Sequence, residues 1–314
     1  MAEPVFVAVD ARPERRPALG YAMVMAAATL WAVNGAVSKV ILSGGVSSLR
    51  LAEIRSTGAF ALLALVLAAV RPATLRLRAR EVPYFALFGA GLALVQLFYF
   101  LAIHRLAIGI ALLIEYLAPV LVALYARFVL HQEVRRRIWI AIALAVTGLA
   151  LVVEIWSGLS LDAAGIVAAL AGAGAYALYL LVAEHGVGDR DPVSLVCFGF
   201  LFASIFWAIV QPWWSFPRDL ISEQVSLDGR LSSLHLPVWS LVAWMIVLGT
   251  IVPFGLLVGA LRHVAATRVA ILAMLEPVLA TVIAYAWLEE SLTAVQLLGA
   301  VVVLGAIFLA QSAR

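Results

Sequence analysis

Two glutamates stand inside long apolar stretches of this sequence. Glu115 lies in GIALLIEYLAPVLVAL beside Tyr116, and Glu276 directly precedes Pro277 in ALRHVAATRVAILAMLEP. A charged group at the centre of a bilayer costs at least about 2.5–3.5 kcal/mol, so each carboxylate needs a reason to be there. Such a group can bind the amine of a solute or a proton. Glu115 can equally be the buried partner of a basic side chain that holds helices together, and both interpretations stay open.

A proline follows each glutamate, and the two prolines occupy matching positions in the two halves of the chain. Pro119 comes four residues after Glu115, and Pro277 comes immediately after Glu276. Proline has no N–H, so a helix that contains it loses the hydrogen bond to the carbonyl four residues earlier. Helices interrupted near the middle of the membrane are where transporters built from inverted repeats commonly bind their solutes. Glu276 can therefore face a cavity, or it can bond to a neighbouring helix at a simple kink.

Two basic residues, Lys39 and Arg55, also lie more than two residues inside apolar runs. Lys39 can neutralise a solute carboxylate or Glu115, but its long stem also allows it to snorkel to the interface. Arg55 lies deeper, and we interpret it as part of a structural ion pair. Polar and aromatic residues at helical spacing suit a lining for a small polar solute, although hydrogen bonds between helices explain the same residues. With Glu115, Glu276 and Lys39, the candidate substrate-binding residues are Trp31, Asn34, Gln96, Tyr99, Tyr116, Tyr176 and Tyr179. Glu133 and Glu290 follow apolar runs and are expected to cap helix ends or anchor loops.

The elements that must position these side chains are membrane-spanning helices. Of the 314 residues, 65% are hydrophobic and only 12% are charged, about half the charge of a soluble domain. A helix needs about 20 apolar residues to cross a bilayer, and the runs are too long for tilted barrel strands. Ten apolar runs occur, at about 20–42, 48–70, 82–103, 107–129, 138–154, 163–184, 193–213, 238–260, 266–288 and 294–311.

The arginines predict the orientation. With the N-terminus inside, and with basic residues at span ends counted on the adjacent side, fifteen of the 21 basic residues lie on the inner side, four lie outside and two lie deeper within spans. Inner loops of membrane proteins carry the excess of basic residues. Both termini are therefore predicted to be cytoplasmic, and the basic composition gives no reason to expect a nucleic-acid partner.

The chain also repeats itself. The segment 102–119 aligns with 260–277 at an offset of 158 residues, and each half holds five apolar runs. Because five is odd, the second half must lie upside down relative to the first. The predicted fold is an all-α membrane protein of ten transmembrane helices in two five-helix inverted-topology repeats. Its parts are a cytoplasmic tail 1–19, a first repeat 20–154, an outer connecting loop 155–162 and a second repeat 163–311 with an outer loop 214–237.

These motifs resemble the drug/metabolite transporter superfamily, in its EamA branch. The second half resembles it through the residues Glu276-Pro277, LEESLT at 288–293, Gly299 and Gly305. The first half resembles it through Trp31, Lys39, Arg55, Pro119, Glu133 and Gly148. The stretch 109–124 is further similar to threonine/homoserine-type exporters of this superfamily. The resemblance implies a multi-pass protein of the bacterial inner membrane that moves amino acids or related metabolites outward.

Three classes of function are open to a helical membrane protein of this kind. A secondary transporter would work by alternating access on a small polar solute, with proton coupling open to Glu115 and Glu276. An intramembrane enzyme would need a nucleophile or metal cluster at one depth, and the sequence has no HExxH, GxSxG or phosphate-loop motif. A scaffold or sensor would have only the loop 214–237 to bind a partner. The sequence favours the transporter, with no cofactor, no metal and no enzymatic activity expected, and it leaves the oligomeric state open.

Overall fold

The structure is a computed structural model that describes residues 16–103, 105–106, 108–158, 162–188, 190–212, 222–289 and 293–312. Glu290 and parts of the predicted tail and outer loops lie outside these residues. The described chain is almost entirely helical. Its helices are α1 Pro17–Ser43, α2 Ser48–Val70, α3 Val82–Ile103, α4 Ile108–Glu115, α5 Ala118–Phe128, α6 Arg136–Val152, α7 Ala163–Gly186, α8 Pro192–Val210, α9 Val238–Ile246, α10 Val252–Ala260, α11 Ala266–Ala273, α12 Leu275–Leu288 and α13 Ala294–Ser312. Short 3-10 helices cover Pro72–Leu75, Ala79–Glu81, Ile155–Gly158 and Gly229–Leu231.

Within the described residues, nine helical segments have at least 18 residues and are apolar enough to cross a membrane. The sequence predicts ten spans, and the remaining one corresponds to α6, which has 17 residues. Exposed leucines, valines and phenylalanines cover the outside of the bundle, as expected where lipid replaces water. The chain is therefore a multi-pass helical membrane protein.

Three of the membrane-spanning segments are interrupted. Between α4 and α5 the helix stops for Tyr116 and Leu117, and Pro119 occupies the first turn of α5. Between α11 and α12 it stops at Met274, with Pro277 in the first turn of α12. Proline is tolerated at the start of a helix because the N–H groups there have no helical acceptor. Between α9 and α10 the chain forms a π-helical turn at Val247–Ile251, just before Pro253.

The packing brings distant helices together. Helix α1 runs along α10 and α12, α3 along α7 and α8, and α2 along α8. Helix α6 packs against α13 where Gly148 meets Gly299, and a Cβ at Gly148 would lie 2.9 Å from the Gly299 carbonyl oxygen. Small residues of this kind let the backbones of membrane helices approach closely.

The segment 214–237, predicted as an outer loop, contains an element that the sequence did not predict. Two short strands, β1 Gln224–Ser226 and β2 His235–Pro237, pair antiparallel with Val225 opposite Leu236. Val225 and Leu227 pack with Val40 and Ile41 at the end of α1. The indole of Trp287 in α12 donates a hydrogen bond to the Leu227 carbonyl at 2.9 Å. Strands of three residues carry too little pattern to be recognised in a sequence, and these contacts stabilise them.

Candidate functional site

The two interrupted helices place their acidic residues close together. Glu115 is the last residue of α4, Tyr116 lies in the break and Glu276 is the second residue of α12. The Tyr116 hydroxyl donates a hydrogen bond of 2.8 Å to Oε2 of Glu276. Glu115 and Glu276 also lie within electrostatic range of each other. Side chains that are 160 residues apart in the chain therefore meet at the two breaks.

These carboxylates border solvent-accessible space inside the bundle, which we call the cavity. Glu115, Glu276 and Arg55 lie deep within the helix bundle, yet each remains partly accessible to solvent. Glu115 extends past Gly172 of α7, where a Cβ would lie 3.7 Å from Oε2 of the glutamate. In the described residues no side chain forms a hydrogen bond or ion pair with Glu115. A carboxylate of this kind is free to take a proton or a cationic group.

A line of aromatic rings runs from the α4–α5 break to α1. The ring centroids of Tyr116 and Tyr176 lie 6.3 Å apart, and those of Tyr176 and Tyr179 lie 6.3 Å apart. Tyr179 contacts Phe254 at 5.9 Å, and Phe254 contacts Trp31 at 5.0 Å. These edge-on and offset contacts hold the rings in place with little freedom. They form one wall between the carboxylates and α1.

The π-helical turn forms a polar corner of the same region. The Arg55 Nε and Nη2 donate to the Thr250 hydroxyl and the Gly249 carbonyl, both at 3.3 Å. Asn34 of α1 is 6% exposed, and its Oδ1 fills the space that a Cβ at Gly249 would need. Arg55 also lies within electrostatic range of Glu276. A π turn leaves backbone groups outside the regular helical pattern, and such turns are frequent at functional sites.

The other predicted residues take different places. Gln96 Oε1 and the Tyr179 hydroxyl are buried and have no hydrogen-bond partner among the described residues. Tyr99 of α3 lies within electrostatic range of both carboxylates. Lys39 is exposed, five residues from Asn34, which is about 140° around the helix. Glu133 is exposed in the segment between α5 and α6.

The structure adds residues that the sequence did not assign to this site. The sequence predicts a structural ion pair for Arg55, but its hydrogen bonds go to the π turn, with Glu276 as a nearby charge. No motif in the sequence marks Thr250 or Phe254. Pro253, between them, is the one local signal in the sequence, because proline inside an apolar run distorts a helix.

Comparison with known proteins identifies the family. The EamA-like transporter family matches residues 18–154 and again residues 163–311. The chain belongs to this family. Together with the membrane-spanning helices, membership indicates a membrane transporter rather than an enzyme.

Individual relatives carry transporter names. The threonine/homoserine exporter RhtA of Escherichia coli K12 is 27% identical over 268 residues, which cover 85% of this chain and 79% of that protein. RhtA of Salmonella typhimurium LT2 is 26% identical over 264 residues, 83% of this chain and 79% of that protein. An uncharacterized transporter of Archaeoglobus fulgidus is 25% identical over 212 residues, 68% of this chain and 70% of that protein.

A solved crystal structure shares the fold. Its chain superposes with a TM-score of 0.75 at 17% identity, covering 93% of this chain and 96% of that chain. At this identity the likeness concerns the fold alone.

Proposed function

We propose that this protein is a secondary transporter that moves small polar solutes across the bacterial inner membrane by alternating access, most simply as an exporter of amino acids or related metabolites. The observation that carries the proposal is the meeting of Glu115, Tyr116 and Glu276 at the breaks of two helices from the two halves of the chain. Transporters of another solute class, such as drugs, sugars or nucleotide derivatives, are the alternative. The names of the RhtA relatives favour the amino acids.

The proposed architecture is ten transmembrane helices in two inverted five-helix repeats, 20–154 and 163–311. The two separate matches to one family support it. The packing also supports it, because exchanging the halves maps the contacts of α1 with α10 and α12 onto those of α7 with α3 and α5. The contact of α6 with α13 maps onto itself. Helix α6 serves as the fifth span, since flanking residues can extend a short helix across a bilayer.

The orientation follows from the same architecture. We place both termini in the cytoplasm because the arginines concentrate on that side. The strands β1 and β2 then lie outside the cell. A single cysteine introduced at His235, in a variant whose Cys197 is replaced by alanine, tests this with a membrane-impermeant reagent. Labelling from the outside of intact cells is expected, and labelling only after lysis would contradict the orientation.

The charges of the cavity favour a solute that carries a positively charged group. Glu115, Glu276 and Arg55 carry two negative charges and one positive charge when all are ionised. An uncompensated carboxylate deep in a membrane protein is costly, and one added positive charge neutralises the set. A solute amine or a proton can supply this charge at Glu115. If the solute amine and a proton occupy Glu115 alternately, the inward movement of protons drives the outward movement of the solute.

Reconstitution in proteoliposomes tests the proposal directly. The protein is expected to move at least one member of a panel of labelled amino acids, and an imposed pH gradient is expected to change the rate. In the variant Glu115→Gln, the rate should become independent of the gradient. The matched control is Glu133→Gln, which removes an exposed glutamate from the segment after α5.

Three results would each count against part of the proposal. Absence of flux for every amino acid would remove the amino-acid substrate class, and absence of flux for drugs, sugars and nucleotide derivatives as well would remove the transporter itself. Unchanged rate and unchanged pH dependence in Glu115→Gln would leave Glu115 with a structural role only.

A further inference from the structure

We propose that Arg55, held on the π-helical turn Val247–Ile251, is the subsite that binds the carboxylate of the transported solute. This inference rests on the proposed function and names the chemical group that the cavity recognises opposite the amine. It assigns to Arg55 a role in binding rather than in a structural ion pair.

The orientation of the guanidinium is the first argument. Arginine has five N–H donors in a planar fork. In Arg55 one edge of this fork, Nε and Nη2, contacts Thr250 and the Gly249 carbonyl at 3.3 Å each. No hydrogen bond from the described residues reaches Nη1. The end of the fork formed by Nη1 and the second N–H of Nη2 therefore stays available, and its two parallel donors fit the two oxygens of a carboxylate.

The attachment of the fork is the second argument. The acceptors that hold Arg55 are a backbone carbonyl and a hydroxyl, both neutral. An arginine whose only role was to form an ion pair would be expected to place its donors directly on a carboxylate. Instead the π turn positions the charge in the cavity and leaves it without a direct anionic contact in the described residues. This is the arrangement of a preformed anion site.

The distribution of polar groups is the third argument. Arg55, Asn34 and the π turn form a polar corner at α1, α2 and α9–α10, and Arg55 brings a positive charge to it. Glu115 lies against Gly172 of α7, and among the described residues Glu276 is the charged group that interacts with both Glu115 and Arg55. A solute with an ammonium group and a carboxylate on one carbon skeleton can pair with both Glu115 and Arg55, whereas a simple amine pairs with Glu115 alone.

Glu276 is the internal competitor for the same guanidinium. It lies within electrostatic range of Arg55, and the Tyr116 hydroxyl already binds its Oε2. In the empty cavity Glu276 partly offsets the charge of Arg55. A solute carboxylate that reaches the open end of the fork adds a direct contact that Glu276 does not make in this structure.

Comparing two solutes that differ only in the carboxylate distinguishes a binding role of Arg55 from a structural role. We would measure transport of L-threonine and of L-threoninamide, which keeps the amine but lacks the anionic carboxylate. Arg55→Gln is expected to raise the KM for L-threonine by about 10- to 100-fold, because it removes one bidentate hydrogen-bonded contact between the guanidinium and the solute carboxylate. The KM for L-threoninamide should change by less than about 3-fold, because the amide makes no such contact. Arg55→Lys, which keeps the charge but not the fork, should restore part of the L-threonine affinity.

The controls separate this inference from the function on which it rests. Arg127→Gln removes an exposed arginine in the last turn of α5 and should change neither KM. If Arg55→Gln weakens both solutes equally, or folds normally and weakens neither, the carboxylate subsite is wrong while the transporter proposal stands. If wild-type protein moves neither L-threonine nor any other amino acid, the proposed amino-acid export and this inference fail together.

Discussion

The hydrogen bond between Tyr116 and Glu276 offers the sharpest single perturbation of the site. Tyr116→Phe removes only the hydroxyl that binds Oε2 at 2.8 Å and keeps the ring that contacts Tyr176. A hydrogen bond to a charged group contributes about 1.5–3 kcal/mol. In an alternating-access transporter a contact made in only one state biases the equilibrium toward that state by its own free energy. Removing the bond should therefore shift the ratio of the two states by about 10- to 100-fold.

Two measurements detect this shift. Spin labels at the C-terminal end of α3 and the N-terminal end of α9, in a variant without Cys197, report the distance distribution between the halves of the chain. The population that matches the described structure should fall in Tyr116→Phe, and the transport rate should change with it. The matched control is Tyr125→Phe, because Tyr125 of α5 is 39% exposed on the outside of the bundle.

The reasoning has a clear point of failure. If Tyr116→Phe leaves both the distance distribution and the rate as in wild type, the bond does not distinguish the two states. An effect of equal size in Tyr125→Phe would point to a general loss of stability instead.

Three further predictions concern packing and the two membrane faces. Gly148→Ala places a Cβ 2.8 Å from the main chain of α13 and should lower the free energy of unfolding by about 2 kcal/mol, measured in detergent; an unchanged stability would contradict the close crossing. Glu81→Gln removes the carboxylate that Arg190 contacts at 2.9 Å and should lower the unfolding temperature by about 2 °C. The difference from wild type should be smaller in 1 M salt, because salt screens the ion pair. A difference that salt does not reduce would argue against an ion pair. Trp287→Phe removes the hydrogen bond to Leu227, so amide exchange in the strands β1 and β2 should speed up about fivefold, measured by mass spectrometry; unchanged exchange would mean that the strands are held by packing alone.

The membrane-spanning helices could be predicted from the sequence because the bilayer imposes a length and an apolar composition on each of them. The prolines also carry local information. Pro119 and Pro277 lie in the first turns of α5 and α12, where a residue without an N–H is tolerated. The repeat alignment placed both at matching positions, and this put Glu115 and Glu276 forward as candidates.

The remainder depends on contacts that no local pattern contains. Arg55 meets the Gly249 carbonyl across 194 residues of chain. The π turn that presents this carbonyl lies inside an apolar run, where Pro253 is the one residue whose type indicates a distorted helix. Hydropathy treats such a run as a uniform helix, because it measures composition and not the hydrogen-bond register of the backbone. The short strands β1 and β2 cannot be predicted for a related reason, since their stability comes from contacts with Trp287 and the end of α1.

The repeat also determines which residues would replace Tyr116 and Glu276 when the proposed transporter changes state. At the offset of 158 residues, Tyr116 corresponds to Met274, and Glu276 corresponds to Ala118. If the two halves exchange conformations, Tyr116 and Glu276 take the relative positions that Met274 and Ala118 hold now. The backbone can be the same in both states, but the polar contacts cannot, because neither methionine nor alanine reproduces the hydroxyl or the carboxylate. The free-energy difference between the states then resides in the side chains of the cavity. A solute or a proton that binds these side chains is therefore placed to reverse the preference, which is the condition for coupling occupancy to the change of access.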